Sequence, residues 1–171
     1  GRLAFQKGYD ILIPAFANSH SPERGWNLVM VGNGEEKASL VNKIKEYDME
    51  GGITILDPNP EIWSEYLDCR YFILPSRFEG MPNALLEAIG YGLTPLISDM
   101  VGDLVTPIRQ LGLKLVHTAA NERSIVDQLN WATDPLRSDQ FITPLDCRTL
   151  LAPHDLKQSL PEWNCIFFPQ H

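Results

Sequence analysis

Four histidines and three cysteines are all that this 171-residue chain offers a transition metal. His20, His117, His154 and His171 form no i,i+4 pair, and Cys69, Cys147 and Cys165 stand far apart with no C-x-x-C step. Neither a metal site nor a disulfide framework is expected. Such cysteine usage suits a reducing, cytoplasmic compartment. Positive charge is also scarce: 14 Lys and Arg face 22 Asp and Glu, for a net charge of −8. A general nucleic-acid binder needs a basic patch and is excluded. An anionic small ligand is not, since a few local cations suffice to hold one. No apolar run reaches the ~18 residues of a membrane span, and no signal-peptide pattern is visible, although a start at Gly1-Arg2 without Met reads as a lost native beginning. Ser76 lies outside any G-x-S-x-G turn, so a hydrolase of that type has no support.

What the chain does contain is alternation. Short apolar runs at Trp26–Val31, Ile53–Leu56, Tyr71–Leu74, Pro95–Ile97 and Leu113–Val116 read as strands. Between them, Tyr9–Ala17, Glu35–Tyr47, Asn83–Ile89 and Ser124–Trp131 carry the helical period. Strand–helix alternation with short, nearly all apolar strands predicts an α/β fold: a single Rossmann-like domain, its parallel sheet covered by helices on both faces. That domain is expected over residues 1–134. Residues 135–171 carry Pro135, Pro144, Pro153, Pro161 and Pro169, and read as an irregular tail. Trp163, Ile166, Phe167 and Phe168 would dock that tail on the core.

Three segments carry chemistry. The strongest runs from Leu74 to Asp99: strand, loop, then a helix opening near Pro82. The first amides of that helix, from Asn83, Ala84 and Leu85, would point outward with the positive end of the helix dipole, as a phosphate site requires. Glu79 in the loop and Glu87 about one turn inside the helix flank that position. Carboxylates accept hydrogen bonds from hydroxyls, so a ligand with hydroxyls on either side of a phosphate fits. Taken alone, each glutamate is better read as a solvated surface charge than as a ligand. The second segment, Gly1 to Gly8, places Arg2 and Lys7 near one strand end, as phosphate grips or as exposed cations. The third, Val31-Gly32-Asn33-Gly34, opens like a dinucleotide fingerprint but has Lys37 where the third glycine belongs, and reads as a tight strand-to-helix turn.

Together, Gly1-Arg2-Leu3 with Lys7-Gly8, Val31 to Gly34, and Pro75 to Ala88 resemble the donor domain of the retaining glycosyltransferases of family four, enzymes of two facing Rossmann-like domains (the GT-B fold). Glu79 and Glu87, with seven residues between them, match the family's E-x7-E signature. The resemblance implies that the chain is the donor-binding half of an enzyme moving sugar from a nucleotide-diphosphate sugar to an acceptor. Arg2 and Lys7 would hold the diphosphate. Glu79, with Gly80 and Met81 beside it, would meet the donor sugar, and Glu87 the ribose. The amides of Asn83, Ala84 and Leu85 would bind phosphate, and the loop around Ile55 and Leu56, to Pro58, would pack on the base. No metal or other cofactor is implied. The partner would be an acceptor-binding domain upstream in the same chain, with an acceptor that can lie at the inner membrane face. A nucleotide-sugar epimerase, or a non-catalytic nucleotide- or partner-binding module, are the competing readings. The family's glycine pair after Ser98-Asp99 is replaced by Gly102-Asp103, which bears on the loop nearest the sugar.

Overall fold

In a computed structural model of the chain, which describes residues 1–59, 69–137 and 140–154, the expected alternation is present. Helix α1 (Tyr9–Ala17) leads to β1 (Leu28–Val31), α2 (Lys37–Glu46) and β2 (Ile53–Leu56). Then come β3 (Tyr71–Leu74), α3 (Asn83–Gly90), β4 (Thr94–Ser98), α4 (Val105–Gln110), β5 (Val116–His117), α5 (Glu122–Ala132) and α6 (Pro144–Leu151). All strand pairs are parallel. β1 pairs with β2 from Leu28↔Ile53 to Val31↔Leu56. β4 lies between β3 and β5, in register Tyr71↔Thr94 and Ser98↔His117. Helix α1 packs on α2 and α5, and α3 packs on α6, so the strands are covered on both faces.

Residues 1–8 stand between the two sheets. Arg2 bridges Asn33 in parallel, and the Leu3 N–H donates to the Asn33 carbonyl at 2.9 Å. Past Leu3 the chain turns onto the β3 side, where the Arg77 N–H donates to the Gln6 carbonyl at 2.8 Å. The strand order therefore reverses about this segment, which makes it the switch point at which open α/β sheets bind ligands. Gly32 and Gly34 allow the close approach. A Cβ at Gly32 would sit 1.8 Å from the Gly1 carbonyl oxygen, and one at Gly34 2.3 Å from that of Leu3. The glycines that resemble a nucleotide fingerprint thus serve backbone packing.

Leu3, Leu12, Ile13, Leu85, Ile97 and Leu115 are among the fully buried side chains that hold the layers together, each worth about 1.5–3 kcal/mol relative to exposure. Pro95 sits inside β4, a central strand, where a proline is unexpected. Backbone donors of a parallel strand alternate between its neighbours. Thr94 donates to Arg70 on the β3 side and Ile97 to Leu115 on the β5 side. Pro95 faces the β5 side before that pairing begins, so no ladder bond is lost.

Three expectations need correction. The last strand is Val116–His117, not Leu113–Val116. Helix α4 is an addition to the expected elements; Pro107 lies in its first turn, where no amide partner is lost. Within the stretch expected to be irregular, α6 forms because Pro144 takes the first helical position, and Thr143 and Asp146 build a reciprocal capping box. Cys147 and Leu150 of α6 are buried, and the Ile142 N–H donates to Thr94 Oγ1 at 3.1 Å. Trp163, Ile166, Phe167 and Phe168 lie outside the described residues.

His117 closes β5 in the interior, its Nδ1 2.8 Å from Gln128 Oε1. Burial pushes its pKa below the ordinary 6.5, against smaller opposing effects of Gln128 and Asp99. The folded state thus favours the neutral ring. Its contribution to stability is complete above pH 6.5 and declines as pH falls from there through the folded-state pKa, as the unfolded chain takes up the proton first. We expect His117→Gln to lose less stability than the parent between about pH 7.5 and about pH 5.5, measured by urea denaturation. Equal losses would show that His117 is not a source of the pH dependence.

Candidate functional site

The loops at the carboxyl ends of the strands meet around Glu79. This residue follows β3, and its N–H donates to the Met100 carbonyl at 2.9 Å, so the loops after β3 and β4 run side by side as a Glu79↔Val101 bridge. Gly102 continues that contact: at φ +52° a Cβ there would lie 2.4 Å from the Gly80 carbonyl oxygen. The substitution of Gly102-Asp103 for the family's glycine pair therefore still supplies a glycine where the two backbones touch.

The Glu79 carboxylate has two partners. The Lys7 ammonium forms a close ion pair with Oε1, and Ser76 Oγ donates to the same oxygen at 2.8 Å. Ser76 is fully buried, and its carbonyl accepts from the equally buried Ser98 Oγ at 2.6 Å. A chain of hydrogen bonds from β4 thus fixes the glutamate. The glutamate side chain is 9% exposed and the lysine 22%, so the pair is shielded yet reachable from solvent. Tyr9 opens α1 beside this pair. Burial, then the Glu79 charge, pushes its phenol up to about 12, so it stays neutral.

Lys7 ends the 3-10 turn Phe5–Lys7, and Gly8 at φ +70° closes that turn and caps α1. The φ favours glycine. So does the space, since a Cβ at Gly8 would lie 2.2 Å from the Pro75 carbonyl oxygen.

Helix α3 begins at Asn83, with Pro82 as its N-cap rather than its first helical residue. Pro82 offers no capping side chain. The Leu85 N–H turns back to the Pro82 carbonyl at 2.9 Å, so Leu85 is withdrawn from the expected set of outward amides. The Asn83 and Ala84 amides have no partner among the described residues. Glu87 is half-buried one turn on, and its charge acts on the Gly1 ammonium. Arg2 is directed elsewhere: its guanidinium holds Glu35 at 3.1 Å, with both side chains mostly exposed. Ile55 and Leu56 end β2, and the Leu56 carbonyl accepts from Gly32 N–H at 2.9 Å. Beyond them Lys37 pairs with Asp57 at 2.6 Å. Gly80 and Met81 are both exposed, and a Cβ at Gly80 would meet no protein atom within 4 Å.

Sequence reasoning missed Ser76, Ser98, Tyr9, Asp10 and Arg77. Arg77 forms a two-pronged pair with Asp10 at 2.8 Å on each prong. Burial alone would raise the Asp10 carboxyl, but the Arg77 hydrogen bonds and charge hold it below its ordinary value. No sequence signal other than opposite charge joins the two.

Among the described residues no three His, Cys, Asp or Glu side chains gather as a metal could require, and no helix is long and apolar enough to cross a membrane.

Residues 1–136 match the family described as glycosyl transferases group 1. The chain belongs to that family. It is 39% identical over 99 residues to the amylovoran biosynthesis glycosyltransferase AmsD of Erwinia amylovora, covering 58% of this chain and 28% of that one. The chain spans well under half the length of the curated relatives it matches. Among solved structures, Anabaena HepE in complex with UDP and glucose superposes with a TM-score of 0.75 at 18% identity, covering 95% of this chain and 46% of HepE. The C-terminal domain of the group 1 protein LpcC from Francisella tularensis gives 0.66 at 15%, covering 90% of this chain and 82% of that domain. These superpositions agree with the Rossmann-like fold expected from the sequence.

Gly8→Ala tests the geometry of the Lys7 turn. With a positive φ and a backbone oxygen in the way, we expect a loss of more than about 1 kcal/mol in thermal or urea denaturation. A neutral result would show that the turn does not pack on Pro75.

Proposed function

We propose that the chain is the donor-binding half of a retaining glycosyltransferase. It would take a nucleotide-diphosphate sugar at the strand ends, opposite an acceptor-binding domain supplied by the rest of the longer protein. The observation that carries this reading is the Lys7–Glu79 pair beside the open amino end of α3, in a chain of this family. Lysine offers charge to a diphosphate, glutamate offers acceptors to sugar hydroxyls, and the Asn83 and Ala84 amides offer two fixed donors. Leaving-group charge would be met by Lys7, by the helix end, and by Arg2 once it exchanges Glu35 for phosphate. Glu87 would take the ribose, the loop at Ile55 and Leu56 the base, and the free space at Gly80 the donor. The complex of HepE with UDP and glucose supports a nucleotide-sugar ligand on this fold.

The missing domain is supported by the length of the relatives and by the surface itself. Phe5, Phe78, Met81 and Met100 are each at least half exposed on the loops around Glu79, and clustered apolar surface marks a contact site.

Binding of uridine, guanosine and adenosine diphosphates and their sugar conjugates, measured by calorimetry, tests the reading. Glu87→Gln should weaken a bare diphosphate and its conjugate alike, by about 1.5–3 kcal/mol, the value of a charged hydrogen bond. Glu79→Gln should weaken the conjugate alone. The bare diphosphate should then bind as well as to the parent or tighter, because the Lys7 ammonium no longer has a carboxylate to leave. No binding of any of these ligands to folded protein would overturn the proposal.

A chelator is the test of the metal-free reading. Affinity should be unchanged in its presence, whereas a large loss would point to a divalent ion bridging the diphosphate.

A further inference from the structure

Lys7 ends a short 3-10 turn closed by its own N–H to the Ala4 carbonyl at 2.9 Å. None of the three residues of the Phe5–Lys7 turn is fully buried. Their tethers are polar, and most of them lead to one residue. The Arg77 N–H donates to the Gln6 carbonyl at 2.8 Å, and its Nη1 donates to the Phe5 carbonyl at 2.6 Å. The Arg77 guanidinium also lies 3.7 Å over the Phe5 ring. Gln6 returns the contact, its Nε2 donating to the Phe78 carbonyl at 2.9 Å. The guanidinium is itself held still by Asp10, which receives both prongs from the first turn of α1. A carboxylate there is further favoured by the helix dipole. Asp10 follows the Lys7 turn, and Arg77 precedes Glu79 by two residues. The pair thus joins the two stretches of chain that carry the lysine and the glutamate.

We propose that Arg77, fixed by Asp10, is the positioning residue for Lys7: it sets where the ammonium stands relative to Glu79 and to the donor diphosphate. The last part rests on the functional reading above. Arg77 acts through Lys7 and does not meet the ligand, because its guanidinium is already committed to the Phe5 carbonyl, both Asp10 oxygens and the Phe5 ring. Its planar fork is what the geometry requires, so lysine at position 77 would keep the charge and lose the alignment.

Two readouts separate this proposal from the functional reading. The first needs no nucleotide. Acylation of lysines by a water-soluble active ester, followed by mass spectrometry, reports how well each amine is held. In the parent, Lys7 should react more slowly than the exposed Lys45. In Arg77→Met, Lys7 should react several-fold faster, while Lys37, paired with Asp57 far along the chain, keeps its parental rate. A general loosening of the fold would raise both. The second readout is affinity for whichever nucleoside diphosphate binds the parent. Arg77→Met should weaken it about tenfold, the scale of one charge-assisted hydrogen bond. In that background Lys7→Met should cost little more, whereas Glu87→Gln should keep its full effect. Asp10→Asn, which keeps size and leaves the arginine in place, should show the same pattern more weakly, and carries the test should Arg77→Met not fold. Unchanged Lys7 labelling in a folded variant overturns the clamp. Faster labelling with unchanged affinity overturns its role in binding. A parent that binds no nucleotide overturns the functional reading and with it the role assigned to Lys7 at the diphosphate.

Discussion

The seating of residues 1–8 between the two parallel sheets is the constraint on which the rest of the structure depends. This short stretch buries one large side chain, Leu3, and otherwise adheres by close backbone contact and by the polar tethers of Phe5, Gln6 and Lys7. Gly1 and Leu3 press on Gly32 and Gly34 on one side, and Gly8 presses on Pro75 on the other. Each contact is so close that no side chain could intervene. The consequence is geometric: one continuous piece of chain touches both the loop after β1 and the loop after β3. A lysine on that piece reaches a glutamate 72 residues away in sequence. Were residues 1–8 to shift, the two sheets would lose their joint and the site its cation in one step.

Electrostatics at this edge follow from the acidity of the chain. With a net charge of −8, carboxylates are plentiful enough to pair the cations at this edge. Lys7 is paired with Glu79, Arg2 with Glu35, Lys37 with Asp57 and Arg77 with Asp10. An anion arriving here competes with a carboxylate already in place, rather than filling an open positive site. The two amides at the start of α3 differ in kind: they are neutral dipoles fixed by the helix, and no acid among the described residues occupies them. On the donor-site reading, the amides are ready in advance and the cations must be exchanged into use. Discrimination between a bare diphosphate and a sugar conjugate would then come from what Glu79 gains in place of Lys7.

The fold was largely legible because buried parallel strands have a plain signature. Trp26–Val31, Ile53–Leu56 and Tyr71–Leu74 are short, nearly all apolar runs ended by Gly, Asp-Pro or Pro-Ser, and each contains or matches an observed strand. The errors share a cause. Leu113 and Leu115 are apolar because they pack at the turn into β5, and that made the strand look earlier than it is. Pro144 counts as a breaker in a proline-rich stretch, although it takes the first position of a helix, and Thr143 with Asp146 is the capping signature that marks it. The site divides similarly. Glu79 and Glu87 are conspicuous in their spacing, but the residues that place them are not. Ser76 and Ser98 are small polar residues that act through burial, and Asp10 and Arg77 look like surface charges until the fold joins them across 67 positions. Arg2 shows the converse: its sequence position was legible, while its choice of Glu35 depends on a side-chain contact that no linear pattern records.

The two ion pairs at the center of the site are built for different tasks, and the side chains chosen say which. Arg77 meets Asp10 by a planar fork on two oxygens, adds a carbonyl and an aromatic ring, and leaves no simple way to exchange one partner at a time. Lys7 meets Glu79 through a single ammonium on a flexible four-carbon stem, with three equivalent donors and only one glutamate oxygen engaged. An ammonium in that setting can give up a carboxylate for a phosphate oxygen with a small rotation of its stem, while its turn stays in place. The rigid pair therefore suits a role in which nothing changes during binding, and the flexible pair one in which the partner changes. Exchanging the two residue types would reverse that division: a lysine at 77 would let the turn drift, and, on the donor-site reading, an arginine at 7 would hold Glu79 too firmly to release it to a sugar.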